Sequence, residues 1–95
     1  MNKYEVLYII KTDLDEEAVK ATVEKFNGII TANGGTVDSV DEWGKRRLAY
    51  PIDYKNEGYY VLTRFTAAPE LPAELERNFK INDGILRYLV TRMPE

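Results

Sequence analysis

Residues 43–51 read WGKRRLAYP, with three consecutive cations, Lys45, Arg46 and Arg47. A planar guanidinium can pair bidentately with a phosphate, so this spacing offers anion recognition rather than bond-breaking chemistry. The chain contains no cysteine and no histidine. Disulfides, thiolate nucleophiles, Cys/His zinc sites and imidazole acid–base catalysis are therefore excluded. Carboxylates, Lys, Arg, Tyr, Ser and Thr remain. The segment DLDEE (13–17) groups carboxylates, but it lacks the alternating oxygens, central glycine and terminal Glu of a calcium loop. Acids at a helix start are ordinary capping chemistry. No Gly-rich loop leads into a helix with a P-loop lysine, and Gly34-Gly35 follows a helix instead. The residues assemble no catalytic constellation, so the reading is a binding or structural protein with no enzymatic activity, cofactor or metal.

Charge is unevenly placed. Residues 1–44 carry four Lys/Arg against nine Asp/Glu, and residues 45–95 carry nine against seven, within a formal net charge of −3. The boundary falls at Lys45, the first residue of the basic cluster. Ninety-five residues give one domain, 1–95, with no room for a second core. The 44% apolar and 31% charged content belong to a globular chain rather than a disordered one. No apolar run reaches the ~18 residues that a membrane span needs. The opening MNKYEVLYIIKTD lacks the basic region and small-residue cleavage site of a signal peptide. An intracellular, cytoplasmic protein without a membrane partner is expected.

The elements that position these side chains follow from periodicity. KYEVLYII (3–10) reads as a strand, with Tyr4, Val6, Tyr8 and Ile10 on one face and Leu7 and Ile9 on the other. Thr12, Asp13 or Asp15 supplies a capping oxygen for a helix that carries Val19, Val23, Phe26 and Ile30 on one side. Gly34-Gly35 ends it. A second strand runs from Thr36 to Pro51, bent or bulged at Gly44. IDYKNEG (52–58) reads as a polar hairpin loop and YYVLTRFTA (59–67) as a third strand. Pro69 and Pro72 precede and open a second helix carrying Leu71, Leu75 and Phe79. NDG (82–84) marks a turn before a last strand over 85–93.

This β-α-β-β-α-β order is the split βαβ, ferredoxin-like α+β fold, and right-handed crossovers place two helices on one face of a four-stranded antiparallel sheet. The other face is uncovered yet offers Leu7, Ile9, Leu89 and several residues of 59–65, a candidate interaction surface. Strand alternation sends Arg46, Leu48 and Tyr50 one way and Lys45, Arg47 and Ala49 the other. Two functions stay open for this cluster: engaging phosphate and a protein at once, or charging an edge strand against aggregation. Lys80, Arg87 and Arg92 add positive charge near and along the last strand. LYII (7–10) and GYYVLTRF (58–65) loosely follow the signatures of RNA-recognition motifs. Glu57, Tyr60, Val61 and Arg64 occupy positions where that motif expects basic, small or aromatic residues. A homodimer holding a small metabolite between sheets is a further alternative, with no obvious convergent polar set to support it.

WGKRRLAYPI (43–52) followed by GYYVLTRF resembles the bacterial small-subunit ribosomal protein six family, as do YEVLYII at the start and FKINDGILRYLVTR near the end. The resemblance spans essentially the whole chain. It implies a ferredoxin-like fold without catalysis and a place in the central domain (platform) of the small subunit. It further implies a heterodimer with small-subunit ribosomal protein eighteen that binds ribosomal RNA, and no DNA partner. Carried over by position, Arg46, Arg47 and Tyr50, with the adjacent Lys45, fall in the central motif. Arg87 and Arg92 match basic positions of the last strand, and Lys3 a basic N-terminal position. The uncovered sheet face and the edge of the second strand are the two surfaces on offer to the protein partner.

Overall fold

A computed structural model describes residues 1–12, 15–52 and 55–94, with backbone only at 49–52 and 55–56. Asn2–Lys11 form strand β1. Tyr4, Val6, Tyr8 and Ile10 are buried on one side of it, while Leu7 is half-buried on the other. A strand apolar on both faces suits the interior of a sheet. Accordingly β1 pairs antiparallel on both sides, with β3 (Lys55–Ala67) and β4 (Ile85–Arg92). β2 (Thr36–Ile52) adds outside β3, giving the order β2-β3-β1-β4.

Helix α1 (Glu16–Ala32) starts where Asp15 Oδ1 accepts the Ala18 N–H at 2.7 Å. Of the three expected capping residues Asp15 fills the role, and Asp13 lies outside the described residues. Glu16 and Glu17 occupy the first turn, where the helix dipole favours acids. Val19, Val23, Phe26 and Ile30 are buried, as their spacing predicts. The chain then turns through Gly34 at φ 83°, a conformation glycine adopts without a Cβ clash. Helix α2 (Leu71–Ile81) carries Pro72 in its first turn and buries Leu71, Leu75 and Phe79. The core joins both helices to one face of the sheet. Phe79 is its centre, packing on Phe26 at 4.2 Å, Tyr8 at 5.0 Å and Tyr88 at 5.2 Å between ring centroids.

The strands differ from expectation between β2 and β3 and at the end of β4. The expected loop over 52–58 is not a loop at its described residues: β2 continues to Ile52, β3 begins at Lys55, and these two residues pair, while residues 53 and 54 lie outside the described residues. Backbone pairing in a two-stranded ribbon satisfies N–H and C=O groups whatever side chains it carries, so polarity alone misplaced the strand ends. β4 ends at Arg92, one residue short of the expected strand.

Among the described residues no helix covers the second sheet face. Ile9 is buried there all the same, and the reason is Gly58. A Cβ at Gly58 would collide with Ile9 Cγ2 and would lie 3.5 Å from Leu48 Cδ2. Side chains of β1 and β2 thus close over β3 at a position where only glycine leaves room, which also buries Leu48. Beyond this patch Tyr60 and Leu62 are half-buried and Leu89 is 60% exposed.

Candidate nucleic-acid interface

The geometry of the basic cluster is set by Gly44. Its φ of 81° lies in the left-handed region that disfavours side chains. The register slips there: Glu42 faces Val61 and Gly44 faces Tyr60, so Trp43 is the extra residue of a β-bulge. Downstream, Lys45 lies opposite Tyr59, Arg46 opposite Gly58 and Arg47 opposite Glu57. Arg46 therefore belongs to the open face, with Gly58 and Tyr60. Lys45 and Arg47 belong to the side that carries the helices. All three are exposed. The tripeptide is not one flat patch but a pair of opposed basic surfaces on a sheet edge.

The open side of this edge holds an ordered stack. The Trp43 indole N–H donates to Asp41 Oδ2 at 3.1 Å. The Trp43 and Tyr60 rings lie 6.1 Å apart and nearly parallel, at 10°. The Arg46 guanidinium sits over the indole, with Cζ 5.5 Å from the ring centroid, within cation–π range. Sequence reading singled out neither Trp43 nor Tyr60 as a functional residue. The signal available was an aromatic residue directly before a bulge glycine.

Lys45 borders a cleft of about 560 Å³ between α1 and the β2–β3 edge, lined also by Thr12, Asp15, Glu16, Lys20 and Tyr59. The Tyr59 hydroxyl donates to Glu42 Oε1 at 3.4 Å. Desolvation and the neighbouring Glu42 carboxylate hold this phenol above its ordinary value. With carboxylates outnumbering cations around it, the cleft is a poor anion site.

The remaining expected residues are spread over the sheet. Lys3 is exposed at the start of β1 and its carbonyl accepts the Met93 N–H at 2.8 Å. Arg87 lies opposite Ile9 and lines a shallow open-face cleft with Leu7, Tyr60 and Leu89. Arg92 lies opposite Tyr4, on the other face, and donates to Asn2 Oδ1 at 3.0 Å. Tyr50 lies in β2, and its side chain falls outside the described residues. Arg46 and Arg87 share the open face on opposite edge strands, about 14 Å apart by strand spacing. On the middle strands, toward the Asn2 end of β1, Arg64 is paired with Glu5 at 3.0 Å. The open face thus presents an apolar centre with cations at both margins. Among the described residues no group of acidic side chains is placed to hold a metal, and no helix is long and apolar enough to cross a membrane.

Comparison with known proteins places this geometry in context. A family profile described as ribosomal protein S6 matches residues 3–92. The small ribosomal subunit protein bS6 of Clostridium novyi is 59% identical over 90 residues, covering 95% of each chain. The bS6 protein of Caldanaerobacter subterraneus is 50% identical over 92 residues, covering 97% of each chain. Among solved structures, the 30S ribosomal protein S6 of Thermotoga maritima superposes with a TM-score of 0.93 at 31% identity, over 97% of this chain and 87% of that one. The C-terminal domain of the Mycobacterium tuberculosis MgtC protein shares the fold alone, with a TM-score of 0.62 at 12% identity over 98% of this chain and 88% of that one.

Proposed function

The chain belongs to the ribosomal protein S6 family, and we propose that it binds small-subunit ribosomal RNA jointly with small-subunit ribosomal protein eighteen. Membership makes it a structural, non-enzymatic constituent of the bacterial small ribosomal subunit, and so a cytoplasmic protein. In the proposed role the whole chain acts as one domain in the central domain (platform) of the subunit. Lys45, Arg46, Arg47 and Tyr50 supply the principal RNA contact from the edge of β2, and Lys3, Arg87 and Arg92 supplement it.

One observation carries this reading: exposed cations flank an apolar sheet face that none of the described elements covers. Such a face gains stability by being covered, and a protein partner seated on Leu7, Tyr60, Leu62 and Leu89 would do so. Arg46 and Arg47 then extend beyond the contact on either side of the sheet, where they can meet phosphate. Because the arginines point apart, each counts as a separate neutralised phosphate.

The test is filter binding of the heterodimer to central-domain RNA across a salt series. Arg46→Ala and Arg47→Ala are each expected to weaken binding and to lower the slope of log K against log salt by about one. Unchanged slopes in both variants would remove them as phosphate contacts.

A further inference from the structure

The bulge at Gly44 does more than bend an edge strand. In an unbroken strand, residues three apart point to opposite faces, so Trp43 and Arg46 would not meet. The extra residue changes that count. Trp43 is left out of the pairing while Gly44 lies opposite Tyr60, alternation resumes at Lys45, and Arg46 returns to the face that Trp43 occupies. Without the bulge, Arg47 rather than Arg46 would face the open side.

The indole is itself fixed from two directions. Asp41 accepts its N–H, and Tyr60 lies parallel to it from the neighbouring strand. Asp41 is brought there by the same alternation, opposite Leu62 on the open face. The arginine, by contrast, is a long side chain on an exposed edge and would otherwise sample many rotamers. Resting the guanidinium on the indole restricts it while leaving the N–H groups at its rim directed outward. A side chain ordered before binding loses less freedom when it pairs with a ligand.

We propose that Trp43 is a positioning residue that holds the Arg46 guanidinium ready for phosphate, with the Gly44 bulge bringing the two side chains onto one face. The inference rests on the reading of Arg46 as an RNA contact, and it adds a residue that carries no charge and makes no phosphate contact of its own.

A double-mutant cycle tests it, using filter binding of the full chain with protein eighteen to central-domain RNA. Trp43→Leu keeps an apolar side chain but removes the aromatic face, and is expected to weaken binding about three- to fivefold. Trp43→Phe keeps an aromatic face and should recover most of that loss, although it cannot bond Asp41. In an Arg46→Ala background, Trp43→Leu should cost nothing further. Gly44→Ala, strained by its positive φ, should reproduce the Trp43→Leu defect if it folds, and circular dichroism of each variant establishes folding.

The outcomes separate cleanly. An equal loss from Trp43→Leu with and without Arg46 would mean that the indole serves something else, and would overturn the positioning role. So would a loss in Arg46→Ala with none in Trp43→Leu. If Arg46→Ala itself binds like the wild type, the RNA-contact reading of Arg46 falls and the positioning role falls with it.

Discussion

At the scale of single residues, the most constrained polar atoms are in the core rather than at the basic cluster. Tyr8 is 1% exposed, and neither its hydroxyl nor the Thr63 Oγ1 finds a hydrogen-bond partner of good geometry among the described residues. Burial pushes the Tyr8 phenol well above its ordinary value of 10.0. A group whose folded pKa exceeds its unfolded one stabilises the fold fully below the unfolded value, and that contribution is lost as pH rises past it. Wild-type stability should therefore fall above pH 10, where unfolded Tyr8 ionises and folded Tyr8 stays neutral. Tyr8→Phe lacks this component. Near neutral pH it should be neutral or more stable by up to about 1 kcal/mol, since it removes a desolvated, unsatisfied hydroxyl. Urea unfolding of both proteins at neutral and alkaline pH should show the difference widening with pH. Parallel pH profiles would mean that the hydroxyl is not isolated in this way.

At the scale of elements, the two helices were fully legible. Val19, Val23, Phe26 and Ile30, like Leu71, Leu75 and Phe79, recur at the helical period, and the structure buries all seven. The glycine-marked bulge of β2 was legible as a position but not as a consequence. Alternation alone cannot say which residue of a bulge is the extra one, so the meeting of Trp43 with Arg46 required the register with β3. The 52–58 segment was misread because residue polarity reports on side chains, whereas strands are held by backbone pairing. Gly58 shows the reverse case, a residue whose meaning is invisible in its own strand. Its reason lies in Ile9 and Leu48, which come from β1 and β2 and are distant in sequence. Gly58→Ala should therefore destabilise the protein by about 1–3 kcal/mol, the usual cost of overpacking, because the β-branched Ile9 has little room to turn away. Denaturant unfolding measures this directly. A change under about 0.5 kcal/mol would show that the sheet yields more easily than its packing implies.

At the scale of the whole molecule, the question is how a protein of net charge −3 serves an RNA assembly. Its first half is acidic, with Glu16, Glu17 and Glu24 exposed on α1, and phosphate repels such a surface at long range. Four of its arginines lie on the two edge strands: Arg46 and Arg47 on β2, Arg87 and Arg92 on β4. Opposed directions within each pair keep these cations from summing into a broad attractive field. They suit local registration of a complex that is drawn to RNA by other means. A basic partner on the open sheet face would provide that attraction, and the chain's arginines would then fix its orientation. The isolated protein is accordingly expected to bind central-domain RNA at physiological salt no better than the non-specific range, Kd about 10⁻⁴–10⁻⁶ M. Adding protein eighteen should tighten binding and steepen the salt dependence together, since the added cations release additional counterions. Filter binding of the chain with and without protein eighteen measures both quantities. Tight binding by the chain alone would show that the edge cations suffice, and would leave the uncovered sheet face without a role in RNA affinity.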